Sequence, residues 1–258
     1  MQKEISKEGS IGVFDSGIGG VTVLREIIKI LPNENYIYYS DSKNNPYGDK
    51  TKQEIIKRCE EVFSYLLEKN CKAIVIACNT ASAIAVNTLR EKYKDIPIIA
   101  IEPAYKMVHD YAYDGETLVM ATKGTIESER FNLLYNKYNN HKTKLLECVG
   151  LADRIEEGNE NKIKEYLEKN LKEYKGKVEN VVLGCTHYPL IQEEIGQVLG
   201  ENVKFFNGAN RLAVHLKDVL LEKDLISKSN ENGKIDFFDS LEKKEKEERF
   251  YKFLRGEF

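Results

Sequence analysis

The chain has 258 residues, 39 basic and 42 acidic side chains, a formal net charge of −3 and 41% hydrophobic residues. That balance excludes a general nucleic-acid surface, and no run approaches the ~18 consecutive apolar residues of a membrane span. The length suits one large or two modest α/β domains.

The start, Met1-Gln2-Lys3-Glu4-Ile5-Ser6-Lys7-Glu8, is charged and lacks a signal-peptide core, so a cytoplasmic location is expected. Ser10–Phe14 reads as the first strand. Asp15-Ser16-Gly17-Ile18-Gly19-Gly20 then turns into a helix over Val21–Leu31, with Val23, Leu24, Ile27 and Ile28 on one face. The turn is a weak phosphate-loop match, because it has neither GxGxxG spacing nor GK[ST]. It is either a plain tight turn or a loop whose Asp15, Ser16 and amide N–H groups face a ligand. Tyr36–Ser40 is a second strand, followed by a polar loop with a Pro46-Tyr47-Gly48 turn that could form a substrate lip. Thr51–Asn70 is an amphipathic helix whose apolar stripe includes Cys59.

Ala73–Ala77 is a buried-strand run that delivers Cys78-Asn79-Thr80 to the start of a helix. Ile96–Ile101 is a strand, and a helix follows Pro103 to about Tyr113. Thr117–Ala121 is a strand ending in Thr122-Lys123-Gly124-Thr125, hydroxyls and amides at a helix start that suit an anion. Lys142–Val149 reads as a strand carrying Cys148, Ala152–Glu157 as a short acidic segment and Asn161–Tyr174 as a helix. Val181-Val182-Leu183-Gly184 then repeats the earlier theme. A buried strand delivers Cys185-Thr186-His187, with Pro189 suited to a first helical turn. A strand over Val203–Phe206, a helix from Ala209 to Leu221, a polar loop, a strand over Ile235–Phe238 and a charged helix over Leu241–Leu254 complete the chain. Alternating strands and helices predict parallel sheets wrapped by helices, with no linker composition that cuts the chain cleanly.

The five cysteines, Cys59, Cys71, Cys78, Cys148 and Cys185, are odd in number and form no CxxC pair, which speaks against a disulfide framework or a zinc site. A lone Cys after a buried strand is more often core than catalytic. Two such units suggest a symmetric task. A carbon acid held between Cys78 and Cys185 could lose a proton to one thiolate and gain one from the other thiol, inverting its stereocentre. Thiols at helix starts are expected to have pKa values that permit this. Asp15 and His187 could shuttle protons, and Ser16, Asn79, Thr80 and Thr186 could hold an α-carboxylate.

Gly12-Val13-Phe14-Asp15-Ser16-Gly17-Ile18-Gly19-Gly20, Asn45-Pro46-Tyr47-Gly48, Ala77-Cys78-Asn79-Thr80-Ala81 and Gly184-Cys185-Thr186-His187-Tyr188-Pro189 resemble, in order, the signature blocks of the glutamate racemase family, within the aspartate/glutamate racemase superfamily. The resemblance implies interconversion of L- and D-glutamate without pyridoxal phosphate, metal or other cofactor, to supply D-glutamate for peptidoglycan. It implies Cys78 as the base toward D-glutamate, assisted by Asp15, and Cys185 as the base toward L-glutamate, assisted by His187. Carried over by position, the substrate contacts are Asp15, Ser16, Pro46, Tyr47, Gly48, Asn79, Thr80, Thr125, Thr186 and His187, with Glu156 as a carboxylate behind them.

The fold it implies is α/β: two similar, pseudo-twofold-related domains of mostly parallel strands flanked by helices, with the site in the cleft between. Residues 1–98 plus 208–258 would form the first domain and 99–207 the second. The expected partner is a small-molecule substrate, with no nucleic acid and no membrane, and a homodimer follows by analogy alone. The chain departs from the family pattern at Asp41-Ser42-Lys43-Asn44-Asn45, at Leu151–Glu156 and at Asn207-Gly208-Ala209-Asn210. Rival readings are a racemase for aspartate or another acidic amino acid, a single-thiol enzyme such as a decarboxylase, a silent amino-acid-binding regulator, and a Cys185–His187 hydrolase. The last is disfavoured if that segment is extended, since alternate side chains then diverge.

Overall fold

The computed structural model describes residues 5–111, 114–200 and 202–257; Met1–Glu4 and the expected helix end at Tyr113 lie outside the described residues. The strands are β1 (Ile11–Asp15), β2 (Tyr36–Ser40), β3 (Ala73–Ile76), β4 (Ile98–Ala100), β5 (Thr117–Ala121), β6 (Thr143–Glu147), β7 (Asn180–Gly184), β8 (Lys204–Phe206) and β9 (Ile235–Asp239). They form two sheets, ordered β4-β3-β1-β2-β9 and β6-β5-β7-β8, in which every pairing is parallel.

Both faces of the first sheet are covered, so its inner strands are largely apolar and the period of two sorts their side chains between faces. Ile11, Val13, Tyr36, Tyr38, Ala73 and Val75 join one core cluster. Phe14, Ile37, Tyr39, Ile74 and Ile76 join the opposite one. The second sheet divides in the same way, Leu118, Met120, Val181 and Leu183 against Val119 and Val182.

The two strand orders correspond. Read outward, β4-β3-β1-β2 matches β8-β7-β5-β6, and β9 is the extra strand, laid parallel to β2 by the C-terminal segment. That segment returns to the first sheet through the helix Ala209–Glu222, which packs on Val21–Ile30, and ends in the helix Lys244–Arg255. In each sheet the chain reverses direction beside the first strand, between β1 and β3 and between β5 and β7. Ligands of open α/β sheets bind at such switch points, outside the carboxyl ends of the strands. Cys78 and Cys185 follow the equivalent strands β3 and β7.

Several boundaries differ from the expected ones for local reasons. Cys148 lies just past β6, buried at its carboxyl end. The segment after Thr122 is two helices, Lys123–Ile126 and Glu129–Tyr138, because Ser128 Oγ accepts the Phe131 amide at 3.1 Å and starts a new helix. The last helix begins at Lys244, since Asp239 Oδ2 accepts the Leu241 amide at 3.1 Å and Glu242 has φ of 53°. The helix Lys52–Glu68 is framed by a Thr51/Glu54 capping box and a positive φ of 59° at Asn70. No helix among the described residues is long and apolar enough to cross a membrane.

At the opposite end of the first sheet, Lys72 Nζ pairs with Glu34 Oε2 at 2.5 Å, with side chains 0% and 3% exposed. Lys72 also donates to Lys7 O at 2.6 Å, and Glu34 Oε1 accepts the Ser227 amide at 2.8 Å. Removing one partner strands a buried charge, so Lys72→Met is expected to lose roughly 3–5 kcal/mol in urea unfolding. Adding Glu34→Gln should recover part of that loss. A single variant as stable as wild type would show that the pair contributes nothing.

Candidate active site

The site is built from the carboxyl-end loops of both sheets. Cys78 is the N-cap of the helix Asn79–Lys92, its Sγ 3.5 Å from the Ala81 amide and 3.6 Å from Ser16 Oγ. Cys185 is placed differently. A 3-10 turn over Tyr188–Ile191 separates it from the helix Gln192–Leu199, so it caps nothing. Its Sγ instead lies 3.6 Å from His187 Nδ1. The chain at His187 is helical rather than extended (φ −77°, ψ −32°), so the spacing objection to a Cys185–His187 contact does not hold.

Side chains of the second half fill the loop that follows β1. Glu156 Oε1 accepts the Ile18 amide at 2.7 Å and His187 Nε2–H at 2.7 Å. Thr186 Oγ1 donates to Asp15 Oδ2 at 3.2 Å, and the Gly20 amide donates to the same oxygen at 2.6 Å. Thr22 Oγ1 donates to Thr186 O at 3.0 Å. The glycines of this loop follow from that packing. A Cβ on Gly17 would sit 2.1 Å from Glu156 Oε1, and one on Gly19 would sit 2.5–2.7 Å from the His187 ring. The loop thus has a role that neither the plain-turn nor the ligand-facing reading included, a socket for Glu156 and His187.

Burial drives the electrostatics. Asp15 is raised from 3.8 to about 6, mainly by burial, against the pull of His187 and the Gly20 amide; its Oδ1 has no hydrogen-bond partner. Burial would also raise Glu156, but the hydrogen bond and charge of His187 together with Lys246 bring it from 4.5 down to about 2. His187 is held well above its ordinary value: burial opposes its charge, but contacts with Cys185 and Glu156 outweigh that. Cys78 overturns the expectation of a thiol ready to ionise near neutral pH. Burial first, then the Asp15 carboxylate, pushes it from 9.0 up to about 12, beyond what the Ala81 amide and Ser16 hydroxyl offset.

The other expected contacts gather here. Asn79, Thr80, Thr125 and Thr186 are buried, and Thr80 Oγ1 lies 2.8 Å from Thr122 Oγ1 and 3.3 Å from Thr125 Oγ1. Asn79 Oδ1 has no hydrogen-bond partner. The Pro46-Tyr47-Gly48 turn follows a cis Asn45–Pro46 bond and packs at Gly48 against Thr122. The Tyr47 hydroxyl donates to Asp41 Oδ2 at 2.6 Å. Arg58 grips the buried Asp41 through Nη2 at 2.8 Å and Nε at 3.1 Å.

Sequence reasoning missed Asp41, Arg58 and Lys246 as supports of the site. Asp41 was readable, since it follows β2 as Cys78 follows β3. Lys246 was not, standing among the many charges of the last helix. No group of three or more His, Cys, Asp or Glu among the described residues is arranged to hold a metal ion.

Two parallel-sheet halves each bring a buried cysteine to the carboxyl ends of their strands, Cys78 beside Ser16 and Cys185 beside His187, an arrangement in keeping with the class of α/β racemases. A family model for Asp/Glu/hydantoin racemases matches residues 11–215. The chain is 45% identical to a glutamate racemase of Clostridium perfringens over 248 residues, 95% of each chain. It also resembles the solved glutamate racemases of Francisella tularensis, in complex with D-glutamate (TM-score 0.82, 32% identity, 98% and 96% covered), and of Bacillus anthracis, isoform RacE1 (TM-score 0.84, 31% identity, 97% and 95% covered). The chain belongs to the Asp/Glu/hydantoin racemase family and is therefore an isomerase.

Because the ring of His187 is clamped, Gly19→Ala is expected to displace it and lower racemase activity by at least about tenfold; wild-type turnover in the purified variant would show that the socket tolerates a methyl. Glu156 is depressed in the folded state, so its stabilisation is present above pH 4.5 and lost as pH falls toward about 2. Glu156→Gln should thus cost roughly 3 kcal/mol at neutral pH, and urea midpoints should show the deficit shrinking in acid. A deficit that does not change with pH would contradict this coupling.

Proposed function

We propose that the protein interconverts L- and D-glutamate by a cofactor-independent, two-thiol mechanism, in the cytoplasm, and that its D-glutamate serves peptidoglycan synthesis. The observation that carries this reading is the placement of Cys78 and Cys185 after equivalent strands of two matching sheets. Each thiol has its own acid–base partner, Asp15 and Ser16 on one side and His187 with Glu156 on the other. The relatives' names and the D-glutamate bound to the Francisella tularensis enzyme support glutamate as the substrate.

In this mechanism Cys185 removes the α-proton of L-glutamate and Cys78, protonated at rest, delivers its proton to the opposite face, leaving D-glutamate and the reverse thiol pair. His187 and Asp15 then restore the two thiols by moving protons to and from solvent. The unpartnered oxygens of Asp15 and Asn79 offer acceptors to the substrate ammonium, whose positive charge also favours ionisation of nearby thiols. Hydroxyls of Ser16, Thr80, Thr125 and Thr186 offer donors to its carboxylates. A Cys185-His187-Glu156 line could equally serve a hydrolase, but that reading leaves the second thiol and Asp15 without a task. We also propose the two-domain division, with the first boundary moved from 98 to just after Ala100, because β4 pairs with β3.

The test is α-proton exchange in D₂O, followed by NMR, on both enantiomers of glutamate and of aspartate. Wild type should exchange and interconvert both glutamates, and Cys78→Ser and Cys185→Ser should each lose interconversion by at least about a hundredfold. Exchange of aspartate alone would change the substrate, and full activity in either variant would end the two-thiol mechanism.

A further inference from the structure

We infer that Lys246, supported by Arg249, is a positioning residue for proton transfer at Cys185: from the last helix it holds the Glu156 carboxylate that orients His187. This rests on the racemase reading above. The helix Lys244–Arg255 is rooted in the first half, where Phe250 and Phe253 are buried in the core cluster against the first sheet. Phe250 packs on Phe237 and Tyr38 with ring centroids 4.4 and 4.6 Å apart, and the Tyr38 hydroxyl donates to Gly17 O at 2.8 Å.

From that base two cations reach the second half. Lys246 Nζ forms an ion pair with Glu156 Oε2, the oxygen not used by His187 and Ile18. Arg249 donates to the backbone carbonyls of Glu156 at 2.5 Å and Ile155 at 2.8 Å. Those carbonyls belong to the last turn of the helix Leu151–Glu157, where the Ile155 carbonyl also accepts the Gly158 amide at 3.1 Å. A Cβ at Gly158, which has φ of 69°, would meet the Arg249 guanidinium at 2.3 Å. So the last helix fixes both the carboxylate and the backbone that carries it.

The reaction gives this arrangement a purpose beyond stapling two halves. His187 must gain and lose a proton during turnover, whereas Lys246 takes no part in that transfer. When His187 is neutral, Lys246 is the remaining cation on Glu156, and the carboxylate is never buried alone. Without Lys246 the carboxylate would stabilise only the charged ring, and His187 would release its proton reluctantly. The groups that act on the pair are Cys185 and Asp15 on the His187 side, and Asp153, Arg249 and Lys246 on the Glu156 side.

The test uses the full chain as wild type, Lys246→Met, Lys246→Gln and Lys246→Arg. Initial rates in both directions are measured across pH. Ring ¹⁵N signals are followed in histidine-labelled protein, which has four histidines. Both neutral variants should lose at least about tenfold in kcat while KM changes by less than about threefold. Their His187 titration and the matching limb of the rate profile should move to higher pH, with His109, His141 and His215 unmoved. Lys246→Arg should restore most of the rate.

Wild-type kcat and an unshifted His187 signal in a neutral variant would overturn the inference. So would a loss accompanied by unfolding in both neutral variants, which would make Lys246 a structural staple. If wild type fails to interconvert glutamate, the racemase reading fails, yet the His187 signal still decides whether Lys246 governs the ring.

Discussion

Glu156 lies 7% exposed among donors from three parts of the chain: the Ile18 amide after β1, the His187 ring after β7 and the Lys246 ammonium of the last helix. A buried carboxylate is tolerated only with such company, because its desolvation must be offset by charge and hydrogen bonds together. The requirement ties the rest of the structure to this point. The β1 loop must lack side chains where Glu156 and His187 enter, which accounts for Gly17 and Gly19. The last helix must reach across from the first sheet, which accounts for the return of the C-terminal segment.

The two halves repeat one strand order, and each places a cysteine after the strand beside its switch point. The proposed inversion of a carbon acid would use a base on one face and an acid on the other, and a repeated fold with its carboxyl ends turned to one site suits that arrangement. The surroundings are not repeated. Cys78 caps a helix beside a fully buried Asp15, while Cys185 stands off its helix beside a charged imidazole. In the proposed mechanism, such different neighbours would suit two thiols with different tasks.

The closed, buried site raises the cost of charge on every group in it. Asp15 and Cys78 both respond by holding protons more tightly. Beside the Pro46-Tyr47-Gly48 turn, the buried Asp41 takes the Tyr47 hydroxyl and the Arg58 guanidinium, which anchors the turn.

The sequence alone determined the alternation of strand and helix, because runs such as Ala73–Ile76 and Val181–Leu183 are apolar on both faces, as strands buried in parallel sheets must be. It also brought out Cys78 and Cys185, since a thiol followed by small polar residues at a strand end is a local pattern. Asp15, His187 and Glu156 were legible as residues but not as partners, and the glycine loop was legible as a turn but not as a socket. Those facts depend on side chains 31, 138 and 171 positions apart meeting in space. The tertiary structure alone decided that Cys78 rests protonated, because burial is a property of the assembled halves. It alone placed Lys246 on Glu156, because a lysine in a charged surface helix carries no local mark of the one carboxylate it will meet.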